Sequence, residues 1–194
     1  MKGHLILIMA PSGSGKSLLI SHLREQVPGL YFAVSCTTRK PRPDEKEGET
    51  YYFISEESFE EKIKEGAFLE WAEFSNNRYG TLVSEILEPV KAGKVVVREV
   101  ELQGILALKE IIPQTNRTVI YIDAGPWEIL EHRILARAPM SSEHLALRKL
   151  RYVEESKWRV FADMIVENNE GRLEEAKQEL QKRVENIVLT VTPT

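Results

Sequence analysis

Eight residues near the amino terminus, Ala10-Pro11-Ser12-Gly13-Ser14-Gly15-Lys16-Ser17, leave the chain few folds to choose from. They match the phosphate-binding pattern G-x-x-x-x-G-K-[ST] except at the first position, where Ala10 stands in place of glycine. Gly13 and Gly15 let the backbone wrap until successive N–H groups point at an anion, and the following helix adds its positive end. Lys16 brings a point charge to the β- and γ-phosphates of a nucleotide, and the Ser17 hydroxyl is placed to hold Mg²⁺. Such a loop belongs between a buried strand and a helix, and both are legible. Leu5-Ile6-Leu7-Ile8-Met9 is a continuous apolar run, as expected of a parallel strand covered on both faces. Leu19, Leu23 and Val27 recur at four-residue spacing with Ile20 beside them, one face of a helix that Pro28-Gly29 ends.

The remaining apolar runs extend the same architecture. Val95-Val96-Val97 and residues 118–122 are further candidates for buried strands, and Met164-Ile165-Val166 is a weaker one. Leu173, Ala176, Leu180 and Val184 mark one face of a closing helix. Alternating strands and helices predict an α/β fold, a P-loop NTPase core with a parallel sheet flanked by helices. The 194 residues suffice for one substantial core with one or two smaller lobes. The core is expected over about residues 1–31, 83–133 and 159–194. Residues 32–82 carry short strand-like pieces such as Tyr51-Tyr52-Phe53, a charged helix over Glu56–Lys64, and turn signals at Pro41, Pro43, Gly48, Gly66 and Asn76-Asn77. They read as an inserted mixed α+β lobe. Residues 134–158, polar at the start and rich in arginine, read as a helical lid.

A net charge of −4 gives no global attraction to nucleic acid or an anionic membrane, so any polyanion site must be a local gathering of Lys and Arg. The apolar run at residues 5–10 is too short to span a bilayer, and a single Cys36 leaves no intrachain disulfide. Together these favour a cytoplasmic location. His4, His22, His132 and His144 show no metal-ligand spacing, and nothing in the pattern speaks to the oligomeric state.

A phosphate loop alone says NTPase or kinase; the lobe discriminates further. Ser35-Cys36-Thr37-Thr38-Arg39-Lys40-Pro41-Arg42-Pro43 sets two arginines three residues apart beside rigid prolines, and Tyr51 follows shortly after. Arginine forks and a phenol suit a phosphate monoester, because they offer several donors in fixed geometry. Alone, such a segment could equally be a solvated basic loop. It is followed by Phe68-Leu69-Glu70-Trp71-Ala72-Glu73-Phe74, then Tyr79-Gly80-Thr81, then Arg98-Glu99-Val100-Glu101-Leu102-Gln103-Gly104. In this order and spacing the pieces closely resemble guanylate kinase.

The resemblance implies roles. ATP would lie on Ala10, Pro11, Ser12, Gly13, Ser14, Gly15, Lys16, Ser17 and Leu18, with Asn168 on the adenine side. Arg39, Arg42, Tyr51 and Tyr79 would grip the GMP phosphate, with Gly80 beside them, and Ser35, Glu70, Thr81 and Glu101 would read guanine. Glu70 suits that task, since a carboxylate accepts from both N1–H and the 2-amino group, whereas adenine would leave it unpaired. Ser17 and, through water, Glu99 would hold Mg²⁺. Lys16, Arg39, Arg133 and Arg137 would surround the transferring phosphoryl group, and Arg148 or Arg151 would join from the lid. The sequence departs from the family at Ala10, at Glu99 and Glu101 where aspartates are usual, at the Ala138-Pro139-Met140-Ser141 turn, and at Glu167-Asn168-Asn169. These departures leave open a related kinase with another phosphorylated acceptor. A non-catalytic protein-binding module is the other alternative, although such modules typically lose the phosphate loop that is intact here.

Overall fold

The apolar runs assemble into a parallel sheet because strands hydrophobic on both sides are stable only when both faces are covered. A computed structural model describes residues 1–43, 45–74, 76–137 and 140–191, save the side chains of Phe74 and Arg137. Its core strands are β1 (His4–Met9), β2 (Leu30–Phe32), β7 (Val95–Glu99), β8 (Arg117–Asp123) and β9 (Met164–Glu167), ordered β2-β7-β1-β8-β9 and all parallel. Alternate residues serve opposite faces. Ile6, Ile8, Val97 and Ile120 pack on α1 (Lys16–Gln26) and α7 (Leu173–Val191) through Leu19, Leu23, Ala176, Leu180 and Val184. Leu5, Leu7, Met9 and Val96 pack on α3 (Val83–Lys91) and α4 (Leu102–Ile111) through Ile86, Val90, Ile105 and Leu108.

The expected strands and the two amphipathic helices are therefore present. β2 is an addition: a three-residue edge strand paired to β7, with the Ala33 N–H extending the ladder to the Val97 carbonyl. The helix after β1 covers one face of the sheet and the helix after β7 covers the other. Connections that part in this way open a crevice at the carboxyl ends of the strands, where open α/β sheets bind their ligands.

Between β2 and α3 the chain builds a second sheet, ordered β4-β3-β6-β5, from β3 (Ser35–Thr37), β4 (Tyr51–Phe53), β5 (Phe68–Phe74) and β6 (Asn77–Leu82). Helix α2 spans Glu56–Lys64; the Ser55 hydroxyl caps it by accepting the Ser58 N–H at 3.1 Å. Acidic residues in its first turn and lysines in its last agree with the helix dipole. Phe59 is fully buried and stacks on Phe68 at 4.3 Å. Gly80 is required here, since a Cβ would lie 2.7 Å from the Phe68 ring.

The segment read as a lid begins within α5 (Trp127–Arg137) and continues through α6 (Ser142–Ser156), which pack on each other through Trp127, Leu130 and Tyr152. Ala138 and Pro139 of the lid turn, and the Arg137 side chain, lie outside the described residues.

Candidate active site

The phosphate loop follows β1 and is shaped by two glycines in the left-handed region, Gly13 at φ 90° and Gly15 at φ 83°. Ala10 is the departure from the pattern, yet it avoids positive φ and its methyl is buried in the core layer. That position needs no glycine. The Ser14 N–H donates to the Pro11 carbonyl at 3.1 Å, which closes the turn. Asn168 braces the loop from beneath: it is 2% exposed, and its side-chain amide donates to the Ser14 carbonyl at 2.7 Å. A Cβ on Gly15 would sit 2.6 Å from that amide, so the brace and the glycine depend on each other. The resemblance puts Asn168 on the adenine side; its amide nitrogen here donates to the loop, and its backbone carbonyl accepts from Arg133 at 2.9 Å.

In front of the loop is a cleft of about 900 Å³. Residues 10–18 line it, facing Glu70, Glu99, Glu101, Arg133, Arg148, Arg151 and Glu155. Lys16 Nζ meets Glu99 Oε1 at 2.6 Å, and Ser17 is exposed in the first turn of α1. Both lid arginines that the sequence leaves undecided reach the cleft. Arg148 donates to the Ser12 hydroxyl at 3.0 Å. Arg151 donates to Glu155 at 3.0 Å and to Glu101 at 2.8 Å. Glu155, 5% exposed, also accepts the Ser12 N–H at 2.9 Å. Nothing local in the sequence marks Glu155; a carboxylate late in a charged helix looks solvated until its facing partner is known.

The second cluster lies in the inserted lobe. Arg39 makes a two-pronged bond to Glu45, at 2.9 and 2.7 Å, and the Arg42 N–H donates to the same carboxylate at 2.8 Å. Glu45 is thus the clamp for both arginines, and Arg39 holds its carboxyl down at about 2. Its place just after Pro41, Arg42 and Pro43 is the one sequence signal of that role. Tyr51 and Tyr79 meet edge to face at 5.8 Å, with the Arg39 guanidinium 5.7 Å from the Tyr51 ring centre. Arg42 itself is exposed.

Behind these residues is the third cluster. The Ser35 and Thr81 hydroxyls are 3.3 Å apart, and Arg98 donates to both, at 2.9 Å to Ser35. Arg98 Nη2 is 3.7 Å from Glu70. Burial pushes the Glu70 carboxyl up, Arg98 pulls it back down, and Glu101 adds a smaller upward push. Glu70 lies against α4 at Gly104, where a Cβ would come within 2.8 Å of its oxygen. Ser35, Tyr51, Arg98 and Glu99 line a smaller cavity of about 310 Å³. Glu99 borders both cavities, so it stands between the phosphate loop and the lobe.

The family model for guanylate kinase matches residues 2–187. The chain belongs to the guanylate kinase family. The guanylate kinase of Rubrobacter xylanophilus is 39% identical over 187 residues, 96% of each chain. That of Nostoc sp. is 44% identical over 155 residues, 80% of this chain and 77% of its own. That of Helicobacter pylori is 35% identical over 191 residues, 98% of this chain and 87% of its own. The crystal structure of guanylate kinase from Anaplasma phagocytophilum superposes with a TM-score of 0.65, covering 99% of this chain and 87% of that one at 23% identity, which establishes the P-loop NTPase fold. As a guanylate kinase by family, the chain carries its phosphate loop, its arginine–tyrosine cluster and its Glu70 cluster all inside the matched span.

Proposed function

We propose that this chain transfers the γ-phosphate of ATP to GMP in one in-line step, giving ADP and GDP. One observation carries the reading: the phosphate loop lines one cavity, Tyr51 of the arginine–tyrosine cluster lines another, and the two meet at Glu99. A donor triphosphate on the loop and an acceptor monophosphate near Arg39, Tyr51 and Tyr79 would then face each other across that residue. A GMP phosphate oxygen bonds to the γ-phosphorus while the bond to the bridging oxygen of ADP breaks. The acceptor is already anionic near neutral pH, so no strong general base is required.

Catalysis comes from positioning and charge neutralisation. Lys16 exchanges Glu99 for phosphate oxygens, Arg39 orients the acceptor, and Arg133 and Arg137 neutralise the moving group. Arg148, already on Ser12, is the better placed of the remaining lid arginines to join them. Asn168 serves ATP by bracing Ser14 and Arg133. Ser35, Glu70, Thr81 and Glu101 read the base, and Arg42 and Gly80 complete the acceptor lobe. A hydroxyl and a half-exposed carboxylate fit Mg²⁺, which takes few protein oxygens and keeps its waters. Ser17, with Glu99 through water, would hold the ion, which would supply positive charge to offset that of the donor phosphates.

The division into a core, a lobe over residues 32–82 and a lid over 134–158 follows from these roles. Among the described residues, no helix is long and apolar enough to cross a membrane. We assign the reaction to the cytoplasm, with ATP and GMP as partners and no role for nucleic acid or membranes. The deciding experiment is coupled ADP release with ATP·Mg²⁺ and each nucleoside monophosphate in turn. GMP is expected to be the preferred acceptor. ADP formed with another acceptor and none with GMP would overturn the reading, and failure to bind ATP would replace it with a protein-binding module.

A further inference from the structure

Largely but not fully buried near the end of β7, Arg98 is a cation that its strand does not explain. Val95, Val96 and Val97 before it are core residues, and a charge in that row is costly unless its surroundings pair it. Its side chain is 15% exposed. Nη1 donates to the Ala33 carbonyl at 3.3 Å, while Nη2 donates to Ser35 and Thr81 and lies 3.7 Å from Glu70. The Nε–H is buried and has no hydrogen-bond partner among the described residues. Arg98 therefore touches three of the four residues assigned above to the base.

We infer that Arg98 is a positioning residue that sets the donor and acceptor pattern of the base site so that it fits guanine and rejects adenine. The inference rests on the guanylate kinase reading of this site and adds a residue to it. Guanidinium can only donate, so an oxygen that it contacts must accept there. Once Ser35 and Thr81 both accept from Nη2, one hydroxyl can donate to the other, and the remaining O–H is turned outward as a donor. This wall suits guanine O6 and meets a clash with the 6-amino group of adenine. On the opposite side the same cation counters the burial of Glu70 and the charge of Glu101, keeping Glu70 an acceptor for N1–H and the 2-amino group.

The test compares kcat/KM for GMP, IMP and AMP in wild type, Arg98→Met, Arg98→Gln and Arg98→Lys, with melting curves and ATP affinity as controls. Loss of charge-assisted hydrogen bonds should lower GMP and IMP kcat/KM by about 10- to 100-fold in the Met and Gln variants, mostly through KM, with AMP little changed. Arg98→Lys should recover part of the loss. Relative to wild type, the Met and Gln penalties should deepen as pH falls, because without the cation the burial of Glu70 and the charge of Glu101 favour its protonated form. Should the Met variant fail to fold, the polar Gln variant carries the same expectation. An unchanged GMP/AMP ratio, or equal loss on all three substrates, overturns the inference. Glu70→Gln run alongside separates the two levels. If it lowers the GMP/AMP ratio and the Arg98 variants do not, only the role of Arg98 falls. If neither moves the ratio, the assignment of this cluster to the base falls as well.

Discussion

Replacing Lys16 with methionine should separate chemistry from stability more cleanly than any other single change. Among the described residues its only ion pair is with Glu99, whose side chain is 49% exposed. A pair that open to water contributes at most about 1 kcal/mol. For a chain of this length that corresponds to a melting shift of about 2–4 °C. Glu99 is wet enough to stay solvated when its partner goes, and methionine keeps the length that packs along the loop. The loop does not depend on the ammonium for its shape, since Ser14 N–H on Pro11, Asn168 on the Ser14 carbonyl, and the glycine turns hold it. What disappears is one preorganised charge at the transferring group, a loss of roughly 10²–10³ in turnover. Coupled ADP release at saturating ATP·Mg²⁺ and GMP gives the rate, and a thermal melt on the same sample gives the stability. Turnover within about tenfold of wild type, in protein whose melt has not moved, would refute the catalytic role of the loop lysine. A melting drop far beyond the estimate would show instead that Lys16 is part of the loop's architecture.

Glu70→Gln should collapse the GMP/AMP ratio of kcat/KM, because a donor then faces the N1–H donor; an unchanged ratio would leave Glu70 a solvated charge. Gly104→Ala should lower kcat/KM for GMP by about 10- to 100-fold by pushing the Glu70 carboxylate aside, while the melt stays level or rises, since alanine is the better helix former by about 1 kcal/mol. A fall in both would mean that the helix, not the carboxylate, had moved. Glu45→Gln should weaken GMP binding and leave ATP binding alone, as Arg39 loses its clamp. The Glu45 carboxyl sits at about 2, below the ordinary 4.5, so its stabilisation is complete above the ordinary value and is lost as pH falls through the lower one. The melting gap between wild type and Glu45→Gln should therefore hold steady at neutral pH and close on acidification; a gap that widens in acid would contradict the clamp.

Periodicity made the core legible, because burial on two faces of a parallel sheet demands uninterrupted apolar strands and striped helices. α2 was readable as a charged helix near Glu56–Lys64, though not its Ser55 cap. β2 was not, since Leu30-Tyr31-Phe32 has no pattern of its own and is a strand only because β7 offers a ladder to it. The lobe sheet was hidden for a similar reason: β3 pairs in parallel with β4 across a long loop, a register that no local signal encodes. At the candidate site, the motif makes Lys16 and Ser17 legible and the family resemblance adds Arg39 and Glu70. Residues whose meaning lies in what faces them stay hidden. Glu45, Arg98 and Glu155 look like ordinary charges until Arg39, the Ser35–Thr81 pair and the Ser12 N–H are placed opposite them. Asn168 adds a link that no motif encodes, its amide nitrogen donating to the loop carbonyl behind it.

Burial also sorts the site's ion pairs into fixed and exchangeable ones. Arg39 and Glu45 are 16% and 14% exposed and share two bonds, a geometry that holds a guanidinium in one orientation. Arg151 and Glu101, which tie α6 to the base side, are 60% and 64% exposed. Such a pair is worth little and can be traded for water or a ligand at almost no cost. Glu155 stands between the two kinds: its carboxylate is shielded, yet it grips Ser12 through one backbone N–H and is gripped by the exposed Arg151. A phosphate arriving on the loop competes for the same N–H with more charge and more acceptor oxygens than a carboxylate has. On the proposed roles, the acceptor lobe would meet GMP with its arginine already set, whereas the lid would rest on contacts that ATP is chemically equipped to replace. Substrate order and lid movement would follow from that difference in shielding rather than from any one residue.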